Sequence, residues 1–135
     1  MTITKTTAYA LRTLGHMAAR EHEVHSADAL HSALKIPKKY LQRMLTDLAR
    51  SGLLRSTRGR NGGFVLARKT KDISLAQIVH AVEGSKKQPD CFFGFAHCAL
   101  DAPCAMHEIW VSSRGAIRDA LTSTSLADIA GTTTR

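Results

Sequence analysis

Three cysteines fall within fourteen residues, at Cys91, Cys98 and Cys104, separated by six and then five residues. His107 follows Cys104 after two intervening residues, with Glu108 directly after it. Cysteine thiolates are the usual protein ligands of iron–sulfur clusters, and histidine replaces cysteine at some irons. The same donors suit a tetrahedral zinc ion. The spacing matches no common zinc-finger pattern, so three unrelated thiols stand as the plain alternative. Two cysteines in a loop and one at a helix start, with His107 one turn in, can converge without strain. His97 neighbours Cys98, and sequence neighbours point apart, which makes it a poor ligand. His16, His22, His25, His31 and His80 read as surface or packing residues. An odd number of cysteines does not favour a secreted disulfide framework. Clustered thiols in a reducing compartment point instead to a metal, a cluster or redox chemistry.

A second constellation is electrostatic. The chain of 135 residues carries a formal net charge of +8. Eleven of its nineteen basic side chains lie between residues 35 and 71, where Asp47 is the only acid. A solvated face rarely needs so lopsided a window, and such windows meet phosphate. Lys38, Lys39, Gln42 and Arg43 occur at helical spacing after Pro37. Lysine and arginine can reach guanine O6 and N7, and glutamine can pair with adenine N6 and N7. Tyr40 is placed either to pack inward or to touch a phosphate. Arg58, Arg60 and Asn61 sit in a glycine-rich tip with no acid, suited to a minor groove or its flanking phosphates. Gly59, Gly62 and Gly63 supply positive φ and close backbone approach.

Those groups need elements to hold them. From about Thr4 to Arg20, Ala8, Leu11, Leu14 and Ala18 recur at helical spacing and predict a first helix. Ser26 is a good N-cap for a short second helix through about Leu34, with Asp28 in its first turn. A break at Ile36-Pro37 leads into a third helix, with Pro37 in its first turn. Tyr40, Leu41, Met44, Leu45 and Leu48 form its inner face, and Gly52 ends it. Two short apolar runs around residues 58–63 predict a β-hairpin. Ile73 to Glu83 predicts a fourth helix with Ile73, Ile78, Val79 and Val82 buried, stopped by Gly84. Residues 85–103 form a long loop with Phe92, Phe93 and Phe95, a length that is uncommon unless functional or disordered. A last helix from about Pro103 to Thr122 carries Met106, Ile109, Trp110, Ile117, Ala120 and Leu121 along one stripe. So small a chain has little core left for that stripe, so packing against a second copy is expected. The tail after Gly131 is expected to fray.

Helix, helix, turn, helix and hairpin in that order make a mostly α, winged helix-turn-helix fold with a β-hairpin wing and a long C-terminal dimerisation helix. Its third helix lies in the major groove. The length suits one integrated domain: a DNA-binding region over 1–84, a cysteine sensor loop over 85–103, and a dimerisation helix and tail over 104–135. Only 5% of residues are aromatic, so aliphatic side chains fill the core. No apolar stretch is long enough to cross a membrane and no signal peptide is evident, so a cytoplasmic protein is expected. No phosphate loop, no Ser-His-Asp order and no paired carboxylates suggest an enzyme.

Four stretches resemble the small bacterial winged-helix regulators typified by IscR, NsrR and CymR. They are residues 4–12 (TKTTAYALR), 36–41 (IPKKYL), 58–64 (RGRNGGF) and 104–110 (CAMHEIW), and the likeness spans nearly the whole chain. The resemblance implies a homodimer joined through the last helix. It implies binding to imperfect palindromes in promoters, mostly as a repressor. In cluster-binding members, cysteines placed like Cys91, Cys98 and Cys104 hold a 2Fe-2S or 4Fe-4S cluster. A histidine placed like His107 is the fourth ligand in IscR-like proteins; in NsrR-like proteins it is an acidic residue on the partner's first helix. The signal is then iron supply, redox state or nitric oxide. CymR-like relatives imply the alternative of a cluster-free regulator using a thiol switch, zinc or a protein partner. This chain has Ala8 at the acidic NsrR position, which cannot ligate and so favours His107. Its first cysteine interval is one residue longer than in IscR-like proteins. Gln42 stands where those proteins tend to have glutamate, so their target sequence does not carry over.

Overall fold

The first helix, α1 (Lys5–Ala18), begins where the Thr4 hydroxyl accepts a hydrogen bond from the Thr7 amide at 3.1 Å. The computed structural model describes residues 4–84, 91–95 and 104–132. The buried stripe of α1 is Thr7, Ala10, Thr13, Leu14 and Met17. Ala8 and Leu11, expected inside, are half-buried. Reading the stripe from apolar types alone misplaces it because Thr13 is fully buried. Its hydroxyl donates to the Tyr9 carbonyl at 2.7 Å, which removes the cost of burying it.

Ser26 caps α2 (Ala27–Leu34) as expected. The turn into α3 (Lys38–Arg50) passes through Lys35 at φ +57°. Leu41, Met44, Leu45 and Leu48 of α3 are buried against the other helices. Its C-terminus closes in a Schellman motif: the Leu53 amide reaches the Leu48 carbonyl and the Gly52 amide reaches that of Ala49, both at 3.1 Å. Gly52 takes φ +79°, which only glycine adopts freely.

The hairpin pairs β1 (Leu54–Thr57) with β2 (Gly63–Leu66), antiparallel, with Leu54 opposite Leu66 and Thr57 opposite Gly63. A third segment joins it. The His25 and Phe64 amides and carbonyls bond mutually at 2.9 and 2.8 Å. This clasp requires Gly63, since a Cβ there would lie 2.5 Å from the His25 carbonyl oxygen.

A single 3-10 turn (Thr70–Asp72) precedes α4 (Leu75–Glu83). The helix starts two residues later than its apolar pattern suggests, because Ser74 and Gln77 form a capping box. Ile73 is fully buried just outside it, with Leu75 and Ile78 inside; Val79 and Val82 are half-buried. The last long helix, α5 (His107–Ser123), begins at His107 rather than near Pro103. A short α6 (Leu126–Ile129), absent from the sequence pattern, then returns the chain to the core. Leu126 is fully buried, and its amide donates to the Ile73 carbonyl at 2.7 Å.

The base of the hairpin holds a histidine pair. His25 is buried, and its ring meets that of His16 edge-on at 5.8 Å. Burial, then the His25 ring and the Arg20 guanidinium, hold His16 below the ordinary imidazole value, and Glu23 opposes them. A depressed native pKa means the unfolded chain binds more protons, so this contribution is lost as pH falls below about 6.5. The melting temperature should therefore drop more between pH 7.5 and 5.5 in the wild-type chain than in His16→Gln. Equal drops would show that His16 is not the responsible group.

Candidate functional site

The turn between α2 and α3 is held from two sides. Arg12 of α1 donates to the Leu34 carbonyl at 3.0 Å, placing a cation at the end of α2. The His31 ring bonds the Ile36 carbonyl at 2.6 Å, so His31 is part of the turn rather than a plain surface residue. Ile36 is fully buried between them. With its apolar stripe inside, α3 presents Lys38, Lys39, Gln42 and Arg43 to solvent, all exposed. Lys39, Gln42 and Arg43 have no side-chain partner among the described residues. Lys38 is ion-paired with Asp28 of α2. Both are largely exposed, so the pair is worth at most about 1 kcal/mol and can yield to a phosphate.

Tyr40 stands apart from this set. It is 37% exposed rather than part of the core. Its hydroxyl is hydrogen-bonded to that of Thr6, and its ring meets Tyr9 edge-on at 5.4 Å.

The wing tip is a five-residue loop over 58–62. Gly59 has φ +110°, and the Gly62 amide donates to the Gly59 carbonyl at 3.0 Å. A Cβ on Gly62 would sit 2.4 Å from the Thr57 carbonyl oxygen. The loop is thus shaped by backbone contacts, leaving Arg58, Arg60 and Asn61 exposed and, among the described residues, without an ion pair or side-chain hydrogen bond. Such arginines are free for phosphates or a narrow groove.

The cysteine segment is described in part. Cys91 and Cys104 are free thiols, both half-buried. Cys98 and His97 lie outside the described residues. The His107 amide donates to the Cys104 carbonyl at 3.0 Å, so these two candidate ligands share one turn at the head of α5. Phe92, next to Cys91, packs edge-on against Trp110 at 5.6 Å and so docks the Cys91 turn on the first turns of α5. Among the described residues no three histidine, cysteine or acidic groups gather closely enough to hold a metal ion. The donor types still suit a cluster or zinc, and the Phe92–Trp110 contact brings their two chain segments together.

Around this region Phe92, Phe93, Phe95, Ile109 and Val111 are all exposed, and α5 has no buried residue. Such a concentration of exposed apolar surface marks an interaction site.

A helix-turn-helix followed by a clasped hairpin, with basic side chains free on both, defines a winged-helix DNA-binding regulator. The chain belongs to the Rrf2 family, described as iron-dependent transcriptional regulators, whose model matches residues 3–132. It is 34% identical over 125 residues to an HTH-type transcriptional regulator of Mycobacterium tuberculosis, covering 91% of this chain and 77% of that protein. It is 28% identical over 131 residues to the regulator NsrR of Bacillus licheniformis, covering 96% and 92%. Among solved structures it is similar to CymR, the global cysteine regulator of B. subtilis. The TM-score is 0.81 at 26% identity, with 98% of each chain covered. IscR of T. potens shares the fold, with a TM-score of 0.75 at 23% identity over 96% and 85% of the two chains. The chain is accordingly a transcription regulator and not an enzyme. Among the described residues no helix is long and apolar enough to cross a membrane.

Reversing the charge of Arg60, as Arg60→Glu, should weaken operator binding by roughly tenfold or more at moderate salt and flatten the salt dependence by about one phosphate contact. Unchanged affinity in a salt titration would exclude the wing from the interface.

Proposed function

We propose that this protein is a homodimeric repressor whose promoter binding is set by an iron–sulfur cluster held at Cys91, Cys98, Cys104 and His107. Residues 1–84 bind DNA, 85–103 carry the sensor and 104–135 bring the dimer together. In each subunit α3 enters the major groove with Lys38, Lys39, Gln42 and Arg43, while Arg58, Arg60 and Asn61 on the wing meet the adjacent backbone or minor groove. The protein acts in the cytoplasm, on palindromic sites. The observation that carries the sensor reading is the docking of the Cys91 turn onto the head of α5 through Phe92 and Trp110, beside the Cys104–His107 turn.

A cluster of either the 2Fe-2S or the 4Fe-4S type, when bound, would supply sensitivity to iron, redox state or nitric oxide. The chain's own part is to join that site to the dimer helix. Exposed Ile109 and Val111 lie on the same helix as His107, so order in the cysteine segment bears directly on how two α5 helices pack. Half-sites must lie about 34–36 Å apart, roughly one DNA turn, so a small rotation between subunits changes the fit.

Protein purified without oxygen should be brown, with stoichiometric iron and sulfide, and Cys98→Ala should be colourless. A colourless wild-type chain would favour the second reading, which the similarity to CymR supports: a cluster-free regulator using a thiol switch, zinc or a protein partner. Ile109→Glu should convert a dimer into a monomer by light scattering while the helical signal is kept. A dimer that survives this change would place the interface elsewhere.

A further inference from the structure

The first turns of α1 carry contacts to two other helices. Glu83, the last residue of α4, accepts hydrogen bonds from the hydroxyls of Thr4 and Thr7. The first turn of α1 has no acidic residue of its own, so Glu83 supplies the negative charge that a helix N-terminus favours. Thr6, between those two threonines, bonds the Tyr40 hydroxyl instead. Tyr9 follows three residues on and packs edge-on against the Tyr40 ring, with the Lys5 ammonium 5.8 Å from the Tyr9 ring centre.

The start of α3 needs an external restraint. Pro37 at its N-cap makes no side-chain cap bond, and its first turn holds no acid. Its buried stripe begins only at Leu41. Residues 38–40 are therefore tied down by the exposed Lys38–Asp28 pair and by Tyr40.

Resting on the reading that α3 faces DNA, we infer that Glu83 and Tyr40 are positioning residues for operator recognition, coupled through α1. Glu83 fixes the first turn of α1 on α4. That turn, through Thr6 and Tyr9, fixes Tyr40 and with it the roll of the α3 face bearing Lys39, Gln42 and Arg43. In sequence, the segment carrying the three cysteines follows Gly84, one residue beyond Glu83. Tyr40 acts here through α3: its hydroxyl bond to Thr6 and its ring contact with Tyr9 hold that helix start against α1.

Coupling of this kind is measured by a double-mutant cycle. The full chain would select its preferred duplex from a random pool. Affinities of the wild type, Tyr40→Phe, Glu83→Gln and the double variant would then be measured on that duplex and on a scrambled one. Each single change should weaken the selected duplex roughly three- to tenfold and leave the scrambled one within about twofold. The double variant should be no weaker than the weaker single, and Thr6→Val should reproduce Tyr40→Phe. Helical signal and melting temperature confirm folding; should Glu83→Gln not fold, Thr7→Val takes its place in the cycle. Losses that multiply in the double variant, equal losses on both duplexes, or no loss in the singles would overturn the inference. An Arg43→Ala control separates the two readings. If it leaves binding intact, α3 does not face DNA and the inference falls with that reading. If it weakens binding while the cycle multiplies, only the linkage falls.

Discussion

The apolar stripe of α3 is the constraint on which the rest depends. Leu41, Met44, Leu45 and Leu48 are each almost wholly buried, and each contributes about 1.5–3 kcal/mol relative to exposure. Burying that stripe sets the rotation of the helix. The opposite face, with Lys39, Gln42 and Arg43, then has no option but solvent or DNA. The same burial explains why the turn before α3 is so closely held. Arg12 and His31 satisfy the last carbonyls of that region, and Ile36 seals it from below.

The wing solves a different problem. A two-stranded hairpin is marginal in water by itself. Here it gains a third partner in His25, whose backbone bonds Phe64 on both sides. The approach is so close that position 63 has no room for a side chain. Rigidity at the base allows the tip to be shaped by glycine geometry and to leave its arginines exposed. The basic tip is therefore presented from a fixed platform, and the electrostatic attraction to DNA needs no rearrangement of the hairpin strands.

The C-terminal half shows the opposite economy. Helix α5 buries no residue in its own chain, while α6 behind it seals the core with Leu126. The two elements divide the work: α6 and its hydrogen bonds to the segment before α4 hold the chain together, while α5 rests on the core through Leu121 and leaves Ile109 and Val111 outward. The exposed aromatic turn over 92–95 leans on Trp110, so the Cys91 turn and the head of α5 share one surface. Under the proposed function, this surface is where the sensor would act on the dimer interface.

Much of this was legible in local pattern. The caps at Ser26 and Gly52, the hairpin register region, the basic tip and the order of elements follow from spacing of two or 3.6 residues and from turn chemistry, which are properties of short stretches. The polar face of α3 followed from the same periodicity. Other features required the folded chain. Buried Thr13, the clasp of His25 with Phe64 and the return of α6 have weak or no local signature, whereas the Ser74-x-x-Gln77 spacing that starts α4 at Leu75 is itself a local signal. Glu83 meets Thr4 across 79 residues of sequence, a contact no period can announce. Tyr40 reads from sequence as able either to pack inward or to meet phosphate; the structure leaves it partly exposed, with its hydroxyl bonded to Thr6. Local backbone preference thus determined which elements form and where they end. Only tertiary packing decided which polar groups are spent inside the protein and which remain free for DNA, because a hydrogen-bonding group's partner depends on what lies across the fold.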